Sequence, residues 1–124
     1  KALTGAWFEV VALMNAKNAA STDALEHMAK ASGTDLKGFQ SQLDTTKLFA
    51  TPKEALAFAT SAQLPATMGK VAEFSFKHGL LGEGAKDTNA VGMSFANGVT
   101  RGDTANLKLH FDPSYVQMAA DGTL

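Results

Sequence analysis

Apolar positions open the chain at helical spacing. Leu3, Trp7, Val10, Val11 and Met14 share one broad face, and Ala6, Phe8, Ala12 and Leu13 carry apolar surface around most of the remaining circumference. Thr4 and Glu9 are the only polar side chains between Leu3 and Met14. The pattern predicts a helix over residues 2–16 that belongs inside the protein, with Trp7 as its packing centre. The Asn-Ala-Ala-Ser-Thr stretch after Lys17 reads as its frayed end. A second helix follows, with Asp23 as N-cap, Glu26 three residues on, Leu25, Met28 and Ala29 as a narrow apolar face, and Gly33 as its stop. Thr34 or Asp35 starts a third, in which Leu36, Phe39 and Leu43 share a face and Gly38 weakens the helix.

From Thr45 to Ala50 the period is lost, and Leu48 and Phe49 read as docking a connecting segment. Thr51-Pro52-Lys53-Glu54 is a capping box with proline at the first helical position, so a fourth helix starts there and runs to about Thr60. Leu64-Pro65 opens a fifth, with Leu64, Met68, Val71, Phe74 or Ser75, and His78 along one side and Gly79 closing it. Glycine and polar residues then dominate from Gly82 to Ala90, as in a loop. Beyond it the period changes. Residues 91–95 and 106–111 read as short strands, joined as an irregular hairpin through Asn97-Gly98, a favourable type I′ pair. Asp112-Pro113 caps a last short helix that stops at Asp121-Gly122. The expected class is mostly α with a small β element, an α+β arrangement, in one helical domain or fragment covering residues 1–124.

Composition narrows the function more than the fold. A net charge of -1, with Arg101 the single arginine and the lysines scattered, argues against a nucleic-acid partner. No apolar run approaches the ~20 residues that cross a bilayer, so no membrane insertion is expected. The absence of cysteine excludes disulfides, thiolate metal sites and cysteine nucleophiles. The abrupt opening at Lys1-Ala2-Leu3, with neither leader nor cap before the first helix, reads as a cut in a longer protein.

Candidate chemistry is sparse. His27, His78 and His110 lie far apart, none with a second ligand at metal spacing, and read as structural or surface residues. Asp23, Glu54 and Asp112 are accounted for by helix starts. Glu9, set within the apolar first helix, is the acidic residue without such a reason. Gly79 to Lys86 is glycine-rich, but no strand precedes it and Ala85 separates glycine from lysine, so it is no phosphate loop. Arg101-Gly102-Asp103 matches an integrin-recognition tripeptide, too short to be specific. The methionines read as core filler. No catalytic residue, metal or cofactor is expected, and the chain does not read as an enzyme.

Several segments taken in order carry a resemblance: Lys-Ala-Leu-Thr-Gly-Ala-Trp-Phe-Glu at the start, Met-Ala-Lys-Ala-Ser-Gly-Thr (28–34), Leu-Phe-Ala-Thr-Pro-Lys-Glu-Ala (48–55), Phe-Lys-His-Gly-Leu-Leu-Gly-Glu-Gly-Ala (76–85) and Leu-His-Phe-Asp-Pro-Ser-Tyr (109–115). Together they resemble the C-terminal part of a nitrate/taurine-type periplasmic solute-binding protein of an ABC transporter, in the branch found beside urea carboxylase genes. The resemblance implies part of a two-lobed type II binding-protein fold, a periplasmic location, a small nitrogenous or sulfonated solute in the full-length protein and a membrane permease as partner. It also implies that a missing N-terminal part covers the apolar first helix. Trp7 and Glu9 are the candidate ligand contacts. The alternative is a self-sufficient helical domain that binds another protein, or a second copy of itself, through exposed apolar surface.

Overall fold

A computed structural model describes residues 1–124. About 55% of the residues are helical, with a small three-stranded mixed sheet, so the chain is α+β. The elements run α1 (Ala2–Asn15), α2 (Ala19–Ala31), α3 (Leu36–Asp44), α4 (Pro52–Ala59), α5 (Leu64–Lys77), β1 (Gly92–Ser94), β2 (Thr100–Arg101), β3 (Leu107–His110) and α6 (Ser114–Ala120). They form two compact units, one of Lys1–Ala55 with Tyr115–Leu124, the other of Leu56–Ser114.

In the first unit α1 packs on α2, and α2 on α3. The expectation of an interior α1 is corrected: only Val11 is buried, at 1% exposure, while Leu3 is 84% exposed and Trp7 53%. Trp7 is therefore not a packing centre. Val11 and the half-buried Phe8 lie on the side that α1 buries, and Leu3, Ala6, Trp7, Val10 and Leu13 form an exposed flank at i, i+3, i+4, i+7 and i+10.

The start of α2 also differs from expectation. Asn18, not Asp23, is its N-cap: the Asn18 side chain accepts the Ser21 N–H at 2.9 Å, and the Ser21 hydroxyl accepts the Asn18 N–H at 3.0 Å. This reciprocal box orders the stretch that reads as frayed. Asp23 instead lies inside the helix, 3.6 Å from His27 one turn on. Of the two expected starts of α3, Thr34 and Asp35, it is Asp35 that caps the helix, accepting the Gly38 N–H at 2.7 Å. A Cβ at Gly38 would run into the Thr34 hydroxyl, so the glycine that weakens the helix also admits its cap. The box at α4 forms as read, with the Glu54 N–H donating to Thr51 Oγ1 at 3.2 Å and the Thr51 N–H to Glu54 Oε2 at 3.3 Å.

In the second unit α5 ends, as expected, before Gly79 at φ 70°. Its buried stripe is Leu64, Met68 and Ala72 with half-buried Ser75, while Val71 and Phe74 are exposed. The i+4 row faces the core rather than the mixed row the sequence suggests. Leu64 and Ala72 meet Met93 and Phe95, with Met68 and Phe111 packed against them. Phe95 and Phe111 stack at 4.9 Å between ring centroids and 4° between planes.

The hairpin expected between residues 91–95 and 106–111 is corrected. Strand order is β2-β1-β3, and β1 pairs antiparallel with β2 but parallel with β3. Asn97 and Gly98 do make a tight turn, at φ 61° and 74°, but it joins β1 to β2. Residues 102–106 then carry the chain past the start of β1 to its other edge, where β3 runs alongside it; the roughly dozen residues of 95–106 suffice for such a parallel return. Two glycines make the passage possible. A Cβ on Gly92 would strike the Asp103 carbonyl and lie 2.7 Å from that of Asn106, and one on Gly102, at φ 73°, would strike the Val91 carbonyl. The crossing is tied by the Asp103 N–H donating to the Asn89 carbonyl at 2.8 Å and the Gly92 N–H to the Asn106 carbonyl at 3.1 Å.

Candidate functional site

An open cleft of about 650 Å³ lies within the first unit, at the end of α1, the start of α2, α3 and residues 46–50. This volume lies within the range that accommodates small ligands. Met14, Leu25, Leu43 and Leu48 supply its apolar lining, and Lys17, Gln40 and Asp44 its longer polar groups. Local chemistry sets the frame. The Asn18/Ser21 box fixes where α2 begins, the Asn15 Nδ2 donates to the Val11 carbonyl at 2.8 Å, and the Thr46 hydroxyl donates to the Gln42 carbonyl at 2.8 Å.

Trp7 and Glu9 do not line this cleft. Both lie exposed on α1, and no hydrogen bond or ion pair joins the Glu9 carboxylate to another residue. Their helix positions do not bring them together with Lys17 or Asp44 in the concavity. The cleft residues escape sequence reading because α1, α2 and α3 each contribute a few of them. The one available signal is Asn18 followed by Ser21, which would have placed the helix start and the bend at Lys17.

The histidines are each accounted for. His27 faces Asp23, His78 lies 4.2 Å from the Phe74 ring, and His110 Nδ1 is 2.6 Å from Ser94 Oγ across the β1–β3 pair. The serine-histidine contact has a nucleophile-to-base distance, but no acidic partner bonds His110, and neither residue lines a cavity described above. No group of three His, Cys, Asp or Glu is placed to hold a metal ion. Arg101-Gly102-Asp103 has a structural role: the Arg101 guanidinium lies against Gly69, Gly102 supplies the positive φ of the crossing, and the Asp103 carboxylate accepts the Ala105 N–H at 2.9 Å. Asp112 accepts the Ser114 N–H at the start of α6, and that bond, then the Ser114 hydroxyl, holds its carboxyl below the ordinary carboxylate range. No helix is long and apolar enough to cross a membrane.

Comparison with protein-family models, with curated proteins and with solved structures returns no match.

Proposed function

We propose that this chain is the C-terminal part of the solute-binding component of an ABC transporter, a periplasmic, non-enzymatic receptor that passes a small nitrogenous or sulfonated solute to a membrane permease. The observation that supports this reading is the uncovered flank of α1. Leu3, Ala6, Trp7, Val10 and Leu13 are all exposed on a helix that is apolar on most sides. Burying such a flank is worth roughly 25 cal/mol per Å² of apolar surface, so further protein seated on it would be held there firmly. A receptor lobe packed over α1 satisfies that demand. The same flank also favours the second reading, a helical interaction domain that takes up a separate protein partner.

Solute binding separates the two. A two-lobed receptor surrounds its ligand with polar groups from both lobes, whereas a part of it offers an open, hydrated surface. Calorimetric titration with urea, guanidine, nitrate and taurine is expected to give binding of about micromolar strength to one of them for the two-lobed product of the same gene. The 124-residue chain is expected to show none of that strength. Silence from the two-lobed product towards every solute would favour the interaction-domain reading.

A further inference from the structure

The turn that joins β1 to β2 carries the groups for its own chemical change. We propose that Asn97 is a self-modification site, at which the Gly98 backbone nitrogen closes on the Asn97 carboxamide and the residue becomes isoaspartate or aspartate. Asn97 and Gly98 are both exposed, and no hydrogen bond holds the Asn97 carboxamide. The space beside Gly98 is open, with nothing within 4 Å of a Cβ built there. Of the asparagines, only Asn97 precedes a glycine; Asn15, Asn18, Asn89 and Asn106 are followed by alanine or leucine, whose Cβ shields the backbone nitrogen.

Backbone geometry puts ring closure within reach. Asn97 stands at φ 61° and ψ 24° and Gly98 at φ 74°, the type I′ arrangement. A five-membered imide needs the Gly98 nitrogen eclipsed with the Asn97 Cβ. On an L-residue this means ψ of about −120°, and φ of about 60° with that ψ is the first central position of a type II′ turn. So φ is already in place, and only the Asn97–Gly98 peptide plane has to flip. The flip converts one hairpin turn into the other, and glycine accepts the change of sign that it brings to its own φ. The bonds that close the turn lie outside this plane: the Phe95 N–H donates to the Val99 carbonyl at 2.8 Å and the Val99 N–H to the Ala96 carbonyl at 3.4 Å.

In the reaction the Gly98 nitrogen loses its proton to hydroxide and bonds to Asn97 Cγ, while the Cγ–Nδ2 bond breaks and ammonia leaves with a proton from water. A second water opens the imide. Opening at Cγ leaves aspartate, and opening at the backbone carbonyl leaves isoaspartate, whose main chain runs through Cβ and Cγ and is one atom longer. A two-residue turn has no slack for that atom. Isoaspartate is expected to break the Phe95–Val99 bond and the Ser94–Thr100 pairing, and to draw Arg101 away from Gly69 on α5. None of this rests on the receptor reading.

The test ages the 124-residue chain in mildly alkaline buffer, beside a synthetic peptide of residues 95–101, and follows each asparagine by peptide mapping and mass spectrometry. In the folded chain Asn97 is expected to convert within about tenfold of the peptide's rate, a barrier difference of about 1.4 kcal/mol at most, while the other asparagines persist. The melting temperature should fall as isoaspartate accumulates. Asn97→Gly keeps a favourable Gly-Gly turn but has no carboxamide, so its melting temperature should hold over the same period. Survival of Asn97 in the folded chain after the peptide has reacted overturns the proposal, as does equal conversion of the other asparagines. Conversion without a fall in melting temperature, or an equal fall in the Asn97→Gly variant, overturns the loosening of β2.

Discussion

Gly92→Ala is expected to lower the stability of the second unit by about 3 kcal/mol or more, a large share of the roughly 5–15 kcal/mol that holds a domain folded. The new Cβ would meet two backbone carbonyls, those of Asp103 and Asn106, at the place where the chain crosses beside β1. A flexible side chain could swing aside, but these carbonyls belong to a segment fixed by the Asp103–Asn89 and Gly92–Asn106 hydrogen bonds. Gly84→Ala is the control, because a Cβ there meets nothing within 4 Å and its φ is not positive. Urea denaturation of the two variants is the measurement. Coincident midpoints would mean that the chain does not pass so close to Gly92, and that the parallel return of β3 follows another route.

Phe95→Ala is expected to cost about 3–5 kcal/mol, the range for removing a buried aromatic ring and leaving its cavity. Phe95 is 7% exposed, stacks on Phe111 and belongs to the cluster of Leu64, Ala72 and Met93. Small units have few ways to close such a hole, so the loss should fall at the upper part of that range. Phe74→Ala on α5 removes the same ring from a site that is 58% exposed and should cost well under about 1 kcal/mol. Thermal melts of the pair decide the matter, and equal losses would contradict the placing of the core on the β1 side of α5.

Local chemistry made part of this fold readable from residues alone. The Thr51/Glu54 box and the Gly79 stop depend on residues within a few positions of one another and form as read; Asp35 is the one of the two expected starts that caps α3, and the Asn97-Gly98 turn forms but joins β1 to β2 rather than the two strands expected. The start of α2 was harder because two cap sequences compete. Asn18 wins because the Ser21 hydroxyl reciprocates, whereas Asp23 falls where the helix is already under way. On α5 a row at i+3 and a row at i+4 look alike in a short segment, and only the position of Met93 and Phe95 selects the second. Pairing of β1 with β3 depends on a backbone crossing at Gly92 and Gly102, which no periodicity announces.

The candidate site was less legible still. Lys17 and Asp44 share a cleft only because α1, α2 and α3 fold back on each other, and neither residue belongs to a motif. Trp7 shows the converse difficulty. Its surroundings are apolar enough to predict burial, but a hydrophobic pattern specifies surface to be covered and does not say which protein covers it. Within this chain the flank of α1 stays uncovered.

Trp7 is also the sole tryptophan, which makes its environment directly measurable. Acrylamide quenching compares the 124-residue chain with the longer, two-lobed receptor proposed to contain it, any other tryptophan of which is replaced by phenylalanine. In the chain alone the half-exposed indole is expected to emit at long wavelength and to be quenched readily. In the two-lobed product its emission is expected to shift to the blue and its quenching to fall severalfold, as protein closes over Leu3, Trp7 and Val10. Equal emission and equal quenching in both would mean that nothing covers this flank of α1, contradicting the proposal that it is a packing surface inside a larger receptor.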